Sequence, residues 1–256
     1  MKTSFKRYAN LVREFTVAGF KLKDHGSFLG LMWTVVYPLV MLLILYMLFS
    51  KRLGRGIEHY QIYLLIGIIH WNFFSKGTTV GLSSLMDKKA ILRSARLPKT
   101  AVVASSIVEV FTLFLIELLI LGIFMFFSGV GFSKTFAFLP LIILIELLLI
   151  IGVSLTLSCL NVYFRDIAHI WNILLRFGFF LTPIFYPIPM FISQGKHGFY
   201  LLNPMTQIII FARDALLLRK FPSLFNMFLV FVFAVCVTAI GYTIFKKSEY
   251  SIVERL

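Results

Sequence analysis

Six apolar runs, each close to the length a bilayer demands, dictate what this chain can fold into. A helix crossing the hydrocarbon core needs about 20 apolar residues. Such runs cover roughly Gly30–Phe49, Ile62–Val80, Ala101–Phe127, Phe136–Leu160, Ala168–Tyr186 and Leu224–Phe245. The second is the weakest, because His70, Trp71 and Asn72 interrupt it. Hydrophobic residues make up 59% of the chain and charged residues 14%, whereas soluble domains hold about 45–50% and about 25%. Long runs predict helices, since barrel strands would be short and alternating. The expectation is an all-α membrane protein of six transmembrane helices. The polar run before the first span is too long for a signal peptide, and no cleavage pattern follows it.

One region resists plain spanning. Leu181–Met190 reads LTPIFYPIPM and Leu202–Leu217 reads LNPMTQIIIFARDALL. Pro183, Pro187, Pro189 and Pro204 each lack a backbone donor and clash with the preceding turn. Broken backbone at membrane depth is tolerated only where protein buries it or a cavity receives it. These prolines therefore mark where something other than plain spanning happens.

Lys and Arg set the orientation. With six spans both termini share a side, which holds the basic residues of 1–27, of 83–99 and of the C-terminal end, with Arg165. The opposite side holds fewer, so both termini are expected in the cytoplasm. The net charge of +14 is mostly this bias and does not call for nucleic acid. Within residues 1–27, Phe5, Tyr8, Leu11, Val12, Phe15, Ala18 and Leu22 recur at helical spacing among Lys and Arg. That suits a helix lying in the interface; a simple basic topogenic tail is the other reading. Between spans two and three, Met86, Ile91, Leu92 and Ala95 can form one apolar ridge. Lys88, Lys89, Arg93 and Arg96 flank it, and Pro98 ends it. Such a helix could dock into a groove of a soluble partner, or its charges could serve topology alone.

Glu109, Glu117, Glu146, His70 and Asn72 lie within spans and are functional candidates for that reason; interhelical hydrogen bonding is the plainer role. Their spacing builds no metal site. No GxxxxGK(S/T) phosphate loop, GxSxG elbow or HExxH is present. Cys159 and Cys236 read as small apolar fillers.

Leu29–Ser50, LGLMWTVVYPLVMLLILYMLFS, resembles the first span of permease subunits of the ABC-2 group, exporters of O-antigen, capsule and teichoic acid. The resemblance continues through NVYFRDIAHI (Asn161–Ile170), TPIFYP (Thr182–Pro187), LNPMT (Leu202–Thr206) and Arg213. Tyr37 departs from the pattern, where Asn before the proline is commoner. The resemblance implies an amphipathic interface helix at 1–27 and a permease domain at 28–256. Within that domain it implies a cytoplasmic coupling helix at 83–98 and outer-face re-entrant gate helices within 187–218, at 187–195 and 203–218, with Pro183, Pro187, Pro189 and Pro204 as gate residues.

It further implies a bacterial inner-membrane protein without catalytic residues or bound cofactor. Two copies would pair with two ATP-binding subunits that hold ATP and Mg²⁺, and a lipid-linked glycan would pass between the copies. Sugar rings pack on aromatic faces, so Trp33, Tyr37, Trp71, Phe74, Trp171 and Phe177 become candidates to line the path; lipid contact is their other reading. Arg165 and Asp166 could meet the ATPase or a pyrophosphate, or simply pair. Arg213 and Asp214 could touch substrate or brace the re-entrant pair. The alternatives are the same fold carrying a small hydrophobic drug or lipid, an embedded transferase using Glu109 or His70, and a proton-coupled transporter.

Overall fold

The computed structural model describes residues 2–24, 30–94, 97–131, 133–187 and 202–255, and among these every regular element is helical. The helices are α1 (Lys2–Asp24), α2 (Gly30–Phe49), α3 (Tyr60–Asp87), α4 (Lys89–Ser94), α5 (Lys99–Phe127), α6 (Leu139–Tyr163), α7 (Ile167–Leu181), α8 (Pro204–Leu216) and α9 (Leu224–Arg255). A short 3₁₀ turn, Lys134–Phe138, leads into α6.

Among the described residues, four stretches are long and apolar enough to cross a membrane: Met32–Phe49, Lys99–Phe127, Lys134–Tyr163 and Leu224–Glu249. α3 is 28 residues long yet is not among them, and its position explains why. It packs against α2, α5, α6, α7 and α8, so its sides meet protein instead of lipid. His70 meets Glu146 of α6, while Thr78 and Ser84 donate to carbonyls of α3 itself. Buried residues run along it from Tyr60 to Leu85.

α7 is a shorter apolar helix of 15 residues. The run expected to continue to Tyr186 stops as helix at Leu181, because Thr182 precedes Pro183 and adopts φ −89°, ψ 133°. A residue before proline is pushed out of the helical region. Pro38 behaves differently and stays inside continuous α2.

α6 and α9 cross closely on glycine. A Cβ on Gly152 would lie 2.6 Å from the Thr238 nitrogen, and one on Gly241 would strike the Gly152 carbonyl oxygen. Small residues are what allow helix backbones to approach in this way. Cys159 is buried, whereas Cys236 faces outward from α9, so only the former fills the interior.

Side-chain ties gather the chain's ends at one end of the bundle. Thr16 Oγ1 in α1 donates to the Ser105 carbonyl at 3.2 Å. Lys99 Nζ, at the start of α5, donates to the Glu249 carbonyl of α9. Asn161 Nδ2, near the end of α6, donates to the Leu82 carbonyl of α3 at 3.3 Å.

Candidate functional site

The proline-broken turn after α7 is where the backbone needs most help, because carbonyls that leave a helix at this depth find no water. Each carbonyl from Phe180 to Tyr186 has a donor. Tyr186 folds back so that its hydroxyl serves the Phe180 and Leu181 carbonyls, both at 3.1 Å. The Ile184 amide closes a tight turn onto the Thr182 carbonyl at 2.7 Å. Arg213 Nη1 donates to the Pro183 carbonyl and Nη2 to the Ile184 carbonyl, each at 2.7 Å. From α3, the Tyr60 hydroxyl reaches the Phe185 carbonyl at 2.6 Å and the Tyr63 hydroxyl reaches the Tyr186 carbonyl at 3.0 Å.

Arg213 is only 3% exposed. It also donates to the Tyr63 carbonyl from Nε and Nη2. Arg suits this role because its planar fork serves several oxygens in fixed directions. Gly67 makes the space, since a Cβ there would lie 2.9 Å from Arg213 Nη2. In this arrangement Arg213 braces backbone and presents no free face to a phosphate.

Asn203 caps α8, accepting from the Met205 amide at 3.0 Å, while its Nδ2 donates to Thr182 Oγ1 at 3.0 Å. Pro204 occupies the first turn of α8, where a missing amide proton costs nothing. Pro183 is buried in the turn and Pro187 ends the described stretch. Pro189 and the expected helix at 187–195 fall outside the described residues, Pro187 excepted.

A cleft of about 430 Å³ opens between α2, α3 and α7, lined by Tyr37, Met41, Trp71, Asn72, Ser75, Asn172, Leu175, Arg176, Phe179 and Phe180. Of the aromatic candidates, Tyr37 and Trp71 line it directly. Trp33 is exposed one turn before Tyr37 on the same side of α2. Phe74 sits behind Trp71, ring centroids 5.9 Å apart, and meets Trp171 at 6.3 Å. Trp171 is held by a 3.1 Å hydrogen bond from Nε1 to Thr78 Oγ1. Phe177 is 65% exposed and lines an adjoining groove of about 280 Å³ with Ile173, Arg176 and Phe180. Gly178 lets α7 close on Trp71, for a Cβ there would lie 2.7 Å from the indole.

Sequence reasoning overlooked Ser75, Lys76, Asn172 and Arg176. The signal was present: His169, Asn172 and Arg176 recur at helical spacing and are all exposed on α7. Polar side chains directed out of a bundle at this depth require a wet cavity or another chain. Lys76 pairs with buried Glu117 at 2.9 Å and lies 5.4 Å from the Tyr37 ring centre.

The remaining ionisable candidates are interior. His70 Nδ1 and Glu146 Oε2 lie 2.6 Å apart, both fully enclosed. Glu109 is buried where α1 presses on α5, and a Cβ on Gly19 would lie 2.6 Å from its Oε2. Arg165 and Asp166 are exposed in the turn between α6 and α7.

At the end that carries α1, the apolar ridge expected on one side of 83–98 is divided. Residues 83–87 belong to α3, and α4 begins at Lys89. Leu92 is 5% exposed and packs inward, Met86 is half-buried, and Ile91 faces out at 44%. Leu92 turns inward because α4 lies back across the bundle instead of projecting from it. Lys88 Nζ also turns inward, to Ser105 Oγ at 3.2 Å and Ser106 Oγ at 3.3 Å. Lys89, Ile91 and Arg93 form the outward face, while Ala95 and Arg96 fall outside the described residues.

The sequence is similar to those of known proteins along its length. Residues 11–217 match the family described as ABC-2 type transporter. The O-antigen export system permease protein RfbA of Myxococcus xanthus is 27% identical over 204 residues, covering 79% of this chain and 78% of that one. Its namesake from Klebsiella pneumoniae is 26% identical over 257 residues, covering 100% of this chain and 98% of its own length. The polysialic acid transport protein KpsM of Escherichia coli is 22% identical over 248 residues, 93% of this chain and 95% of its own. The matched residues include every element that builds the cleft and the braced turn, and the chain belongs to the ABC-2 type transporter family.

Proposed function

We propose that this chain is the permease subunit of an ATP-driven exporter that moves a lipid-linked polysaccharide outward across a bacterial inner membrane. The cargo class is that of O-antigen, capsule or teichoic acid. The observation that carries the reading is the cleft between α2, α3 and α7. Its aromatic walls, Tyr37, Trp71 and Phe179, stand beside hydrogen-bonding groups on Asn72, Ser75, Asn172 and Arg176. Aromatic faces accept the C–H surface of a sugar without fixing one hydrogen-bond geometry. That tolerance suits a polymer that must slide. A small hydrophobic drug would leave Asn172 and Arg176 without purpose, and burying them unsatisfied is unfavourable.

Two copies would set their α2 and α7 faces around one path, within a six-span topology with cytoplasmic termini. ATP and Mg²⁺ would reside in two partner subunits. The outward face of α4, with Lys89, Ile91 and Arg93, would receive the ATPase, and the turn at Arg165 and Asp166 lies open to the same partner. Residues 1–27 would lie in the interface, and the braced turn with α8 would form the outer gate. An embedded transferase using Glu109 or His70 is disfavoured because His70 has no accessible surface and Glu109 is only 5% exposed.

The test is affinity purification of the tagged chain from native membranes, beside an Ile91→Glu, Arg93→Glu variant. An ATP-binding subunit in equal amount, lost with the variant while the permease itself is still recovered, is the expected result. Wild-type chain recovered in gentle detergent without any ATPase contradicts the reading.

A further inference from the structure

On the side of the bundle away from the α2–α7 cleft, a second cavity of about 640 Å³ lies between α1, α5, α6 and α9. Its walls come from matched stretches: Thr100 to Ile107 of α5, Leu148 to Leu155 of α6 and Val235 to Tyr242 of α9. Each stretch spans about 10 Å at ~1.5 Å per residue, less than the ~15 Å that is half of a bilayer core. The groove is thus short enough to fit within one leaflet, and Thr100, one residue into α5, sets its mouth toward the end that carries α1. Its sides are apolar, and Ala104 and Ala239 keep it open.

Its mouth is polar and basic. Tyr8, Thr100 and Tyr242 ring it. Lys246 Nζ lies 5.9 Å from the Tyr242 ring centre, and Lys6, Arg7 and Lys247 are exposed on the same two helices. Glu14 and Glu249 are the acidic residues of those helices nearest in sequence, and Lys246 is the cation set against the Tyr242 ring at the mouth.

We infer that this groove holds one acyl chain of an anionic bilayer phospholipid, with its phosphate set among Tyr8, Tyr242 and Lys246. An acyl chain gains little by leaving other acyl chains for an apolar wall, so shape and headgroup charge decide which lipid stays. Basic pockets between helices at a membrane surface select anionic headgroups. The lipid fills the gap between α1, which packs on α5, and α9, which packs on α6. The inference rests on the packing of α1, α5, α6 and α9 and is independent of the proposed cargo.

The test is native mass spectrometry of the full chain in mild detergent, offered dioleoyl phosphatidylglycerol, dioleoyl phosphatidylcholine or glycerol 3-phosphate. Wild type is expected to retain phosphatidylglycerol at least about fivefold better than phosphatidylcholine, and glycerol 3-phosphate not at all. Ala239→Phe, which fills the groove from its open side, is expected to lower phosphatidylglycerol occupancy about fivefold. A Lys246→Gln, Lys247→Gln variant is expected to retain both lipids equally. If Ala239→Phe lowers the unfolding temperature, Ala104→Leu takes its place. Equal retention of the two lipids by wild type overturns the inference, as does wild-type occupancy in a folded groove-filled variant.

Discussion

Arg213 rests its guanidinium on the ring of Tyr63, with Cζ 3.4 Å from the ring centroid, and donates from Nε and Nη2 to that same residue's carbonyl. One residue of α3 thus holds both the face and one edge of the cation. The other edge is turned to the carbonyls of Pro183 and Ile184. The break that proline introduces is stable because an arginine two segments later replaces the missing helix donors.

Arg213→Lys keeps the charge and loses the fork. Each buried carbonyl left without a donor costs about 1–3 kcal/mol. The variant is expected to melt well below wild type and to export nothing. Tyr63→Phe keeps the stacked ring and removes the bond to the Tyr186 carbonyl, a loss of about 0.5–1.5 kcal/mol. Thermal unfolding in detergent, followed by size-exclusion of the intact chain, compares the two. Equal melting of Arg213→Lys and wild type would sink the bracing role.

His70 and Glu146 are expected to behave as a unit. Removing one partner of a buried pair leaves the other uncompensated, which costs about 3–5 kcal/mol, whereas replacing both by apolar groups is far milder. The double variant His70→Leu, Glu146→Leu should therefore be more stable than either single change. Unfolding temperatures of the three variants, read as a double-mutant cycle, check it. Simple additivity would show that the pair is not coupled.

The family and its helical plan were legible in the sequence, and the reasons are physical. The run from Gly30 to Phe49 meets lipid and is apolar throughout, so its limits coincide with those of α2. Pro183 and Pro204 fixed where helix had to stop and restart. α3 was harder, since a helix enclosed by protein needs no continuous apolar surface and its polar residues read as interruptions. Arg213 was singled out beside the NP turn, but its partners lie in Tyr63, Pro183 and Ile184, a distance that no local pattern spans. Arg176 was passed over because one charge in an apolar run reads as noise until its helical companions at 169 and 172 are counted. The ridge at 83–98 divided because a six-residue helix lying on a bundle must hide one side, and Leu92 is that side.

α4 offers a clean separation of folding from docking. Leu92→Glu places a charge in the interior and is expected to reduce the amount of chain in membranes severalfold. Ile91→Glu faces outward and is expected to leave that amount unchanged. Quantitative immunoblots of membranes distinguish them. Similar levels for both variants would show that Leu92 is not enclosed.

In the cleft, Arg176→Ala and Asn172→Ala alter exposed side chains, so folding should be preserved, while surface glycan should fall about 10-fold for the former. Phe177→Ala, directed at the adjoining groove, is expected to have less effect. Gly178→Val forces a side chain against the Trp71 indole and should reduce export even where the protein level is normal. Staining of surface polysaccharide at matched protein level measures all four. Full export by Arg176→Ala would remove the cleft from the path.

The central claim is that this chain carries a lipid-linked polysaccharide outward through the α2–α7 cleft, and deletion of its gene tests that most directly. Surface glycan and the internal lipid-linked pool would be measured together. The account predicts that surface glycan disappears while lipid-linked polymer accumulates inside, and that wild type but not a Trp71→Ala, Arg176→Ala variant restores both. Unchanged surface glycan in the deletion strain, or its loss without internal accumulation, would contradict it.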